Sequence, residues 1–198
     1  IAIDGLEVPL TALVVGDPAY LLDIAAAGAA ALAAGATTDA IAAASCDFRP
    51  AAHRREVVGM WNGVTWVDDS KATNPHAALA ALDAYPSVVL IAGGRSKGLD
   101  LTPLAHHPHL GRLVAIGEAA PVLLDASPPG IGVWAGDMAE AVRLAGEAAV
   151  PGDVVLLAPG GASFDMFESY AHRGEVFADE VRTRHSEADH TRPSGRDR

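Results

Sequence analysis

The chain has 198 residues, with 14 basic and 25 acidic side chains and a formal net charge of -11 at pH 7. A surface of that charge repels phosphate backbones and anionic lipids, so we expect neither a nucleic-acid nor a membrane partner. The length suits one full core plus a smaller segment, and because the chain begins at Ile1 we expect a piece of a longer protein.

The cellular compartment is predicted from weak signals that agree. The single cysteine, Cys46, cannot form an internal disulfide, which fits a reducing compartment. The most apolar stretch, residues 24–36, is shorter than the roughly 20 residues that span a bilayer. The start of the chain has no basic region followed by an apolar region, so no export signal is visible. We expect a cytoplasmic location.

The first 50 residues have the pattern of two helices. Asp17-Pro18 is typical of an N-cap followed by proline in the first helical position, and the region of Gly35 closes the Ala-rich helix that follows. A second helix is predicted from residue 38 to about residue 44. Residues 46–52 break the pattern, so we place a domain boundary at residue 50.

A β-hairpin and four further strands are predicted beyond that boundary. Asn62-Gly63 joins two β-rich runs and best supplies the positive φ angles of a type I′ turn. Short apolar runs then alternate with helices that begin near Asn74 and Asp137. This alternation predicts an α/β fold, a Rossmann-like doubly wound, mainly parallel sheet with helices on both faces. The predicted strands are residues 56–61, 64–68, 88–92, 113–116, 131–134 and 154–157.

The last segment of the chain divides into a helix and a polar tail. The helix is predicted from about residue 165 to residue 182, and the main domain is placed at residues 51–184. Residues 185–198 are polar, contain Pro193 and Gly195, and are predicted to be disordered.

Three segments after predicted strand ends carry the candidate binding residues. They are residues 68–74, 93–98 and 159–165, and each combines glycine or a helix start with hydroxyl or charged side chains. A Gly-Gly pair alone is often only a tight turn, and a lone loop charge is often solvated. Ligands of parallel α/β sheets bind beyond the carboxyl ends of the strands, however, and the chain's few lysines include Lys71 and Lys97 in these segments. The three segments together predict a site for a small anion.

Several familiar motifs are absent from the sequence. It has neither a G-x-G-x-x-G fingerprint nor a P-loop, so it does not cradle a triphosphate in the usual way. His106, His107 and His109 form a cluster that lacks a cysteine or carboxylate at ligand spacing, and no metal site is predicted there. Ser163 lacks the G-x-S-x-G elbow of a hydrolase nucleophile.

Four runs in the second part of the chain carry a resemblance to a known family. They are H-R-R-E-V-V from His53, N-G-V-T-W-V-D-D-S-K-A-T-N from Asn62, G-G-R-S-K-G from Gly93 and S-F-D-M-F from Ser163. Together they resemble the C-terminal domain of the Mur ligases, over residues 52–182 and in the family's order. The D-S-K-A-T-N run is typical of the members that add D-glutamate, and residues 1–50 resemble the end of the family's central ATPase domain.

The resemblance implies an ATP-dependent ligase of peptidoglycan precursor synthesis. In that reaction an acyl phosphate forms on UDP-N-acetylmuramoyl-L-alanine, and the amine of D-glutamate attacks it. ATP and Mg²⁺ are implied, with the P-loop, the magnesium ligands and the uridine-binding domain upstream of this chain. The missing N-terminal and central domains are then its partners, and the chain alone is expected to be inactive.

The resemblance also assigns residues to D-glutamate. Lys97 and Thr73 hold one carboxylate, whereas Ser163 and the backbone at Phe164 and Tyr170 hold the other. A lysine, hydroxyls and helix-start amides can together neutralise a dicarboxylate. Some relatives have phenylalanine in place of Tyr170, which a contact through the backbone amide tolerates.

A second set is assigned to the nucleotide. By resemblance Asp69 binds the ATP ribose, His53 and Arg54 contact the nucleotide, and Lys71 acts near the phosphates as the catalytic residue. Where the family often has a His-Asn-x-x-Asn run, this chain has A-Y-L-L-D from Ala19.

Two other functions stay open on the sequence. One is a folylpolyglutamate-synthase-like ligase, which has a related fold and also adds glutamate, although the D-S-K-A-T-N and S-F-D-x-F runs argue against it. The other is a small-ligand binding module without catalysis.

Overall fold

The computed structural model describes residues 2–3, 6–13 and 18–190. The chain divides into two compact units, Ile1–Ala51 and Ala52–Arg198. The division falls one residue after the boundary placed at residue 50. Within the described residues, no helix has both the length and the apolar character needed to cross a membrane.

The first unit is mainly helical. The first helix closes at Gly35 as predicted, where Gly35 has a φ of 89° and the amide of Ala36 donates to the carbonyl of Ala31 at 3.0 Å. Thr37 caps the second helix, which extends three residues beyond its predicted end. The predicted cap Asp17 lies outside the described residues. The elements are β1 (Ala2–Ile3), β2 (Leu6–Glu7), α1 (Pro18–Ala33) and α2 (Thr38–Asp47).

One six-stranded sheet forms the centre of the second unit, within residues 52–190. Its strands are β3 (Glu56–Trp61), β4 (Val64–Asp68), β5 (Val88–Gly93), β6 (Leu110–Ile116), β7 (Gly132–Trp134) and β8 (Val154–Gly160). Their order is β3-β4-β8-β5-β6-β7, and only β3 runs antiparallel to its neighbour. The hairpin is confirmed, because Asn62 and Gly63 have φ angles of 53° and 77° and Trp61 lies opposite Val64.

Helices cover both faces of this sheet, which confirms the predicted fold class. Alternate residues of a strand point to opposite faces, so Leu90 packs in one buried cluster with Leu82 and Ile91 packs in the other with Phe177. The first face carries α3 (Pro75–Asp83) and α4 (Ala120–Ala126). The second carries α5 (Met138–Ala148) and α6 (Tyr170–His190).

Side-chain caps begin α3 and α5 where they were predicted. Asn74 accepts a hydrogen bond from the amide of Ala77 at 2.9 Å, and Asp137 accepts one from the amide of Glu140 at 2.8 Å. The carboxylate of Glu140 accepts in return from the amide of Gly136, at 2.9 Å, so the capping box closes one residue before the cap.

The prediction for the start of the last helix was wrong. The carbonyl of Ser163 accepts from the amides of Met166 and Phe167, at 3.1 and 2.8 Å, which makes a tight turn where the helix was expected. The hydroxyl of Ser169 accepts from the amide of His172 at 3.0 Å and acts as the N-cap. The helix therefore begins at Tyr170, five residues later than predicted.

The prediction for its end was also wrong. The helix continues through His190, so residues 185–190 do not belong to a disordered tail. The ring of His185 stacks on Trp61 with 4.4 Å between ring centroids, and Trp66 lies edge-on to it. The apolar surface of the hairpin therefore holds a segment whose own sequence is polar. Residues 191–198 lie outside the described residues.

Candidate functional site

The three predicted segments lie together beyond the carboxyl ends of β4, β5 and β8. The amide of Gly160 donates to the carbonyl of Ala72 at 2.9 Å, which joins the segment after β4 to that after β8. Arg95 and Ala162 exchange two backbone hydrogen bonds, at 2.8 and 2.9 Å, which join the segments after β5 and β8. The backbone thus brings all three segments to one edge of the sheet.

Arg173 is a buried cation that holds two of these segments from α6. Its Nε donates to the hydroxyl of Ser70 at 2.9 Å and its Nη2 to the carbonyl of Ser70 at 2.9 Å. Its Nη1 donates to the carbonyl of Gly161 at 3.2 Å. Burial lowers the pKa of Arg173 to about 10, so the side chain keeps its charge at neutral pH. The hydroxyl of Ser70 in turn donates to the carbonyl of Tyr170 at 2.7 Å, which completes the link to the start of the helix.

The sequence analysis did not select Arg173 as a functional residue, although the sequence indicates that Arg173 lies on the buried face of a helix. Arg173, Phe177 and Val181 follow one another at intervals of four residues, and all three are buried. A charge on the apolar stripe of a helix is unusual unless it has partners.

Asp165 was also missed, and it fastens the segment after β8 to the turn after β6. Its Oδ2 accepts from the amide of Glu118 at 2.8 Å. Gly117 has a φ of 65°, and a β-carbon there would lie 2.2 Å from Asp165 Oδ2 and 3.1 Å from Gly94 Cα. Only glycine therefore fits at position 117, between Asp165 and Gly94.

His53 and Asp68 form a short hydrogen-bonded pair on the side assigned to the nucleotide. His53 Nδ1 and Asp68 Oδ2 are 2.7 Å apart. Burial raises the pKa of Asp68, and the hydrogen bond to His53 opposes that rise. The carbonyl of His53 accepts from the amide of Lys71 at 3.1 Å, so the same residue also anchors the loop after β4.

Asp69 is a buried carboxylate at the end of β4. Its amide donates to the carbonyl of Leu157 at 2.9 Å, and its side chain lies 3.9 Å from Arg55 Nε. Burial raises the pKa of Asp69 to about 6, against the opposing charge of Arg55.

The raised pKa of Asp69 predicts a pH dependence of stability. Its folded-state pKa is about 6 and its ordinary value is 3.8, so its contribution to stability is present below about pH 4 and is lost as the pH rises through 6. Relative to Asp69→Asn, the unsubstituted chain should lose about 1–3 kcal/mol of unfolding free energy between pH 4 and pH 7.5. Urea unfolding at both pH values measures this, with the exposed Asp179→Asn as matched control. An unfolding free energy of the unsubstituted chain that stays constant or rises relative to that of Asp69→Asn between these two pH values would contradict the burial of a carboxyl group.

Lys71 and Tyr170, which the sequence assigned to different ligands, contact each other. Lys71 Nζ lies 3.7 Å from the centroid of the Tyr170 ring, a cation-π contact. The ring of His53 approaches Tyr170 edge-on with 6.2 Å between centroids. The structure therefore brings three of the predicted residues together around one aromatic ring.

Four of the remaining predicted residues lie on the converging segments, whereas Arg54 lies in the turn before β3 and acts electrostatically on Asp69. Lys97 is exposed, with a φ of 56°, on a turn closed by the amide of Leu99. Ser163 is buried, whereas Phe164 is 67% exposed. Thr73 is partly buried and Arg54 is exposed. Lys97, Thr73 and Arg54 can therefore be reached from solvent.

Two groups of side chains carry atoms of the kind that bind metals. Donor atoms of His53, Glu56 and Asp68 lie within 4.8 Å of one another, but His53 Nδ1 and Asp68 Oδ2 are already hydrogen-bonded to each other. The histidine cluster lies at the opposite, amino-terminal ends of the strands, where the carbonyl of His109 accepts from the amide of Val88 at the start of β5. His107 contacts Asp83 at 3.1 Å there.

The fold defines the class of this chain as a Rossmann-like α/β domain. The family model described as "Mur ligase, glutamate ligase domain" matches residues 53–161. The chain belongs to the Mur ligase family.

Its relatives share a specific name. The UDP-N-acetylmuramoylalanine--D-glutamate ligase of Frankia casuarinae is 47% identical over 186 residues, which are 91% of this chain and 40% of that protein. The ligase of the same name from Mycobacterium leprae is 40% identical over 211 residues, with 88% and 43% covered. The chain thus spans about 40% of the length of these relatives.

Solved structures support the fold. The UDP-N-acetylmuramate-alanine ligase of Thermotoga maritima matches with a TM-score of 0.66 at 15% identity, covering 89% of this chain and 40% of that one. MurF from Acinetobacter baumannii matches with a TM-score of 0.65 at 21% identity, covering 86% of this chain and 39% of that one. At these identities the likeness concerns the fold alone.

Proposed function

We propose that this chain is the C-terminal part of an ATP-dependent ligase that joins D-glutamate to UDP-N-acetylmuramoyl-L-alanine in peptidoglycan precursor synthesis. The observation that carries the proposal is the convergence of the D-S-K-A-T-N loop and the S-F-D loop on one sheet edge, both held by Arg173. Relatives named for this activity support the same conclusion.

D-glutamate binds between the loops after β4, β5 and β8 in this proposal. Lys97 and Thr73 hold one carboxylate, and the exposure of Lys97 allows its Nζ to reach a bound ligand. Ser163 and the backbone at Phe164 and Tyr170 hold the other. Because both carboxylates are fixed, the amine points at the acyl phosphate, which is catalysis by positioning. The ammonium group of D-glutamate first gives one proton to solvent. The free amine nitrogen then bonds to the acyl carbon, the bond from that carbon to the phosphate oxygen breaks and releases phosphate, and the nitrogen loses a second proton to solvent.

The nucleotide binds beside the His53 and Asp68 pair. Asp69 accepts hydrogen bonds from the ribose hydroxyls, and His53 and Arg54 contact the nucleotide. Lys71 acts near the phosphates, where its charge stabilises the negative charge of the transferring group. Its loop is fixed to His53 through the backbone, so the nucleotide and amino-acid sites share one support.

Magnesium is the implied metal, and it neutralises phosphate charge when bound. The cluster of His53, Glu56 and Asp68 does not fit it, because magnesium prefers oxygen ligands and the histidine nitrogen is hydrogen-bonded to Asp68. The family resemblance assigns the magnesium ligands and the P-loop to the upstream domains of the complete protein. Residues 1–50 are assigned to the end of the central ATP-binding domain, and the complete ligase to the cytoplasm.

Two substitutions on the loop after β4 test whether it serves both substrates. In the complete enzyme Asp69→Asn replaces an acceptor oxygen by an amide donor and should mainly raise the ATP requirement. Thr73→Val removes a hydroxyl and should raise the KM for D-glutamate at least about fivefold, because a ligand oxygen loses its partner at a cost of about 1–3 kcal/mol. Steady-state kinetics for each substrate, with a melting curve for each variant, measure both effects. An equal loss for both substrates that follows the melting temperature would contradict the assignment.

A further inference from the structure

The pair of His53 and Asp68 is packed against α6 and the loop after β4. Asp68 is 2% exposed, and its two carboxylate oxygens have separate partners: Oδ1 accepts from the amide of Ser70 at 2.8 Å, and Oδ2 contacts His53 Nδ1 at 2.7 Å. On α6, a β-carbon at Gly174 would lie 2.3 Å from His53 Nδ1 and 2.5 Å from Asp68 Oδ2. The absence of a side chain at Gly174 is what lets the helix pack against the pair.

The backbone at His53 is held in an unusual conformation. Its φ is 61°, a value that non-glycine residues adopt rarely and at a cost. The carboxylate of Glu56 accepts from the amide of His53 at 3.1 Å, and the carbonyl of His53 accepts from Lys71. Contacts with Glu56, Lys71 and Asp68 thus hold the backbone and the ring of His53 in place. They offset the cost of a φ angle that non-glycine residues rarely adopt.

The hydrogen bonds determine which ring nitrogen carries the proton. The hydrogen bonds from His53 and from the amide of Ser70 oppose the rise in the pKa of Asp68 that burial causes, and they favour its ionised form, which can only accept. His53 must then donate from Nδ1, and its Nε2, on the opposite edge of the ring, is left for a ligand. We propose that Asp68 is a positioning residue that fixes His53 in the Nδ1–H tautomer and turns its Nε2 edge to the nucleotide. The second half of this inference rests on the nucleotide site proposed above.

The same chain contains a histidine with the opposite arrangement. His107 Nδ1 accepts from the amide of His109 at 3.3 Å, and its Nε2 faces Asp83 Oδ1 at 3.1 Å. His107 therefore carries its proton on Nε2. It serves as an internal reference, because both histidines contact an aspartate but through different nitrogens.

Nitrogen NMR of the 198-residue chain tests the tautomer without any activity. Long-range proton–nitrogen correlation spectra should show His53 with its proton on Nδ1 and His107 with its proton on Nε2, with His53→Gln identifying the signals of His53. Asp68→Asn keeps an oxygen for the amide of Ser70 but can turn an amide donor to the ring, so His53 should change to the Nε2–H tautomer. Asp83→Asn should leave His53 unchanged. An Nε2–H His53 in the unsubstituted chain would overturn the inference even if Asp68→Asn fails to fold, and so would an unchanged tautomer in a folded variant.

Kinetics of the complete enzyme test the second half. Asp68→Asn should raise the KM for ATP by about tenfold or more and leave the KM for D-glutamate within about twofold, since one ligand hydrogen bond is lost on the nucleotide side only. Asp83→Asn should change neither value. A changed tautomer with an unchanged KM for ATP would refute the nucleotide role of His53 while leaving the role of Asp68 intact. An equal rise in the KM for ATP and the KM for D-glutamate would show that Asp68 only supports the fold and does not position His53 for the nucleotide.

Discussion

Arg173→Met is expected to lower the free energy of unfolding by about 3–5 kcal/mol and to abolish D-glutamate-dependent turnover in the complete enzyme. Methionine fills much of the volume but removes all five guanidinium donors. The carbonyls of Ser70 and Gly161 then lose their partners in a buried place, and each such loss costs about 1–3 kcal/mol. The charge that faces Asp68 and Asp165 is lost as well.

Arg182→Met is the matched control on the same helix. Arg182 is exposed and forms an ion pair with Asp179 at 3.0 Å, one helical turn away, which is worth at most about 1 kcal/mol. Urea unfolding of both variants gives the comparison, and circular dichroism reports whether the fold is retained. Equal stability of the two variants would show that Arg173 is not the support of the site.

Lys97→Ala is expected to raise the KM for D-glutamate about 10- to 150-fold and to leave the KM for ATP nearly unchanged. A charge-assisted hydrogen bond to a ligand is worth about 1.5–3 kcal/mol, which gives this range. Lys97 is exposed and lies on the Gly-Gly loop after β5, so its removal should cost little stability. Steady-state kinetics with each substrate varied in turn measure the two constants.

Arg95→Ala provides the control on the same loop. Arg95 is a cation of similar exposure, and its Nε lies 3.2 Å from Glu118 Oε2, so its charge is used within the protein. Its removal tests a general loss of positive charge near the site. If Arg95→Ala and Lys97→Ala raise the KM for D-glutamate equally, or if Lys97→Ala leaves it unchanged, the assignment of Lys97 to the D-glutamate site is wrong.

The parts of the fold that local sequence determines could be predicted. The hairpin follows from Asn62-Gly63, where two positive φ angles are needed, and the caps at Asn74 and Asp137 follow from side chains that reach amides three residues away. Each of these features depends on neighbours in sequence. The edge of the sheet at which residues 68–74, 93–98 and 159–165 meet followed from the parallel strand order.

The parts that depend on distant contacts, and one local turn with its cap, could not be predicted. Arg173 and Ser70 are 103 positions apart, and nothing near Arg173 in the sequence indicates its partner. The final helix begins late because Ser163 and Ser169 each bond to nearby amides. The helix ends later than predicted because the ring of His185 stacks on that of Trp61. In each case a tertiary or capping contact outweighed the local pattern.

The most direct test of the account is phosphate release that depends on D-glutamate. The complete protein that carries this chain, supplied with ATP, magnesium and UDP-N-acetylmuramoyl-L-alanine, should release phosphate when D-glutamate is added and should not do so with L-glutamate. The 198-residue chain alone should release none above background, because the phosphate cradle and metal ligands are assigned upstream. Release by the chain alone, or release by the complete protein that is indifferent to D-glutamate, would contradict the account.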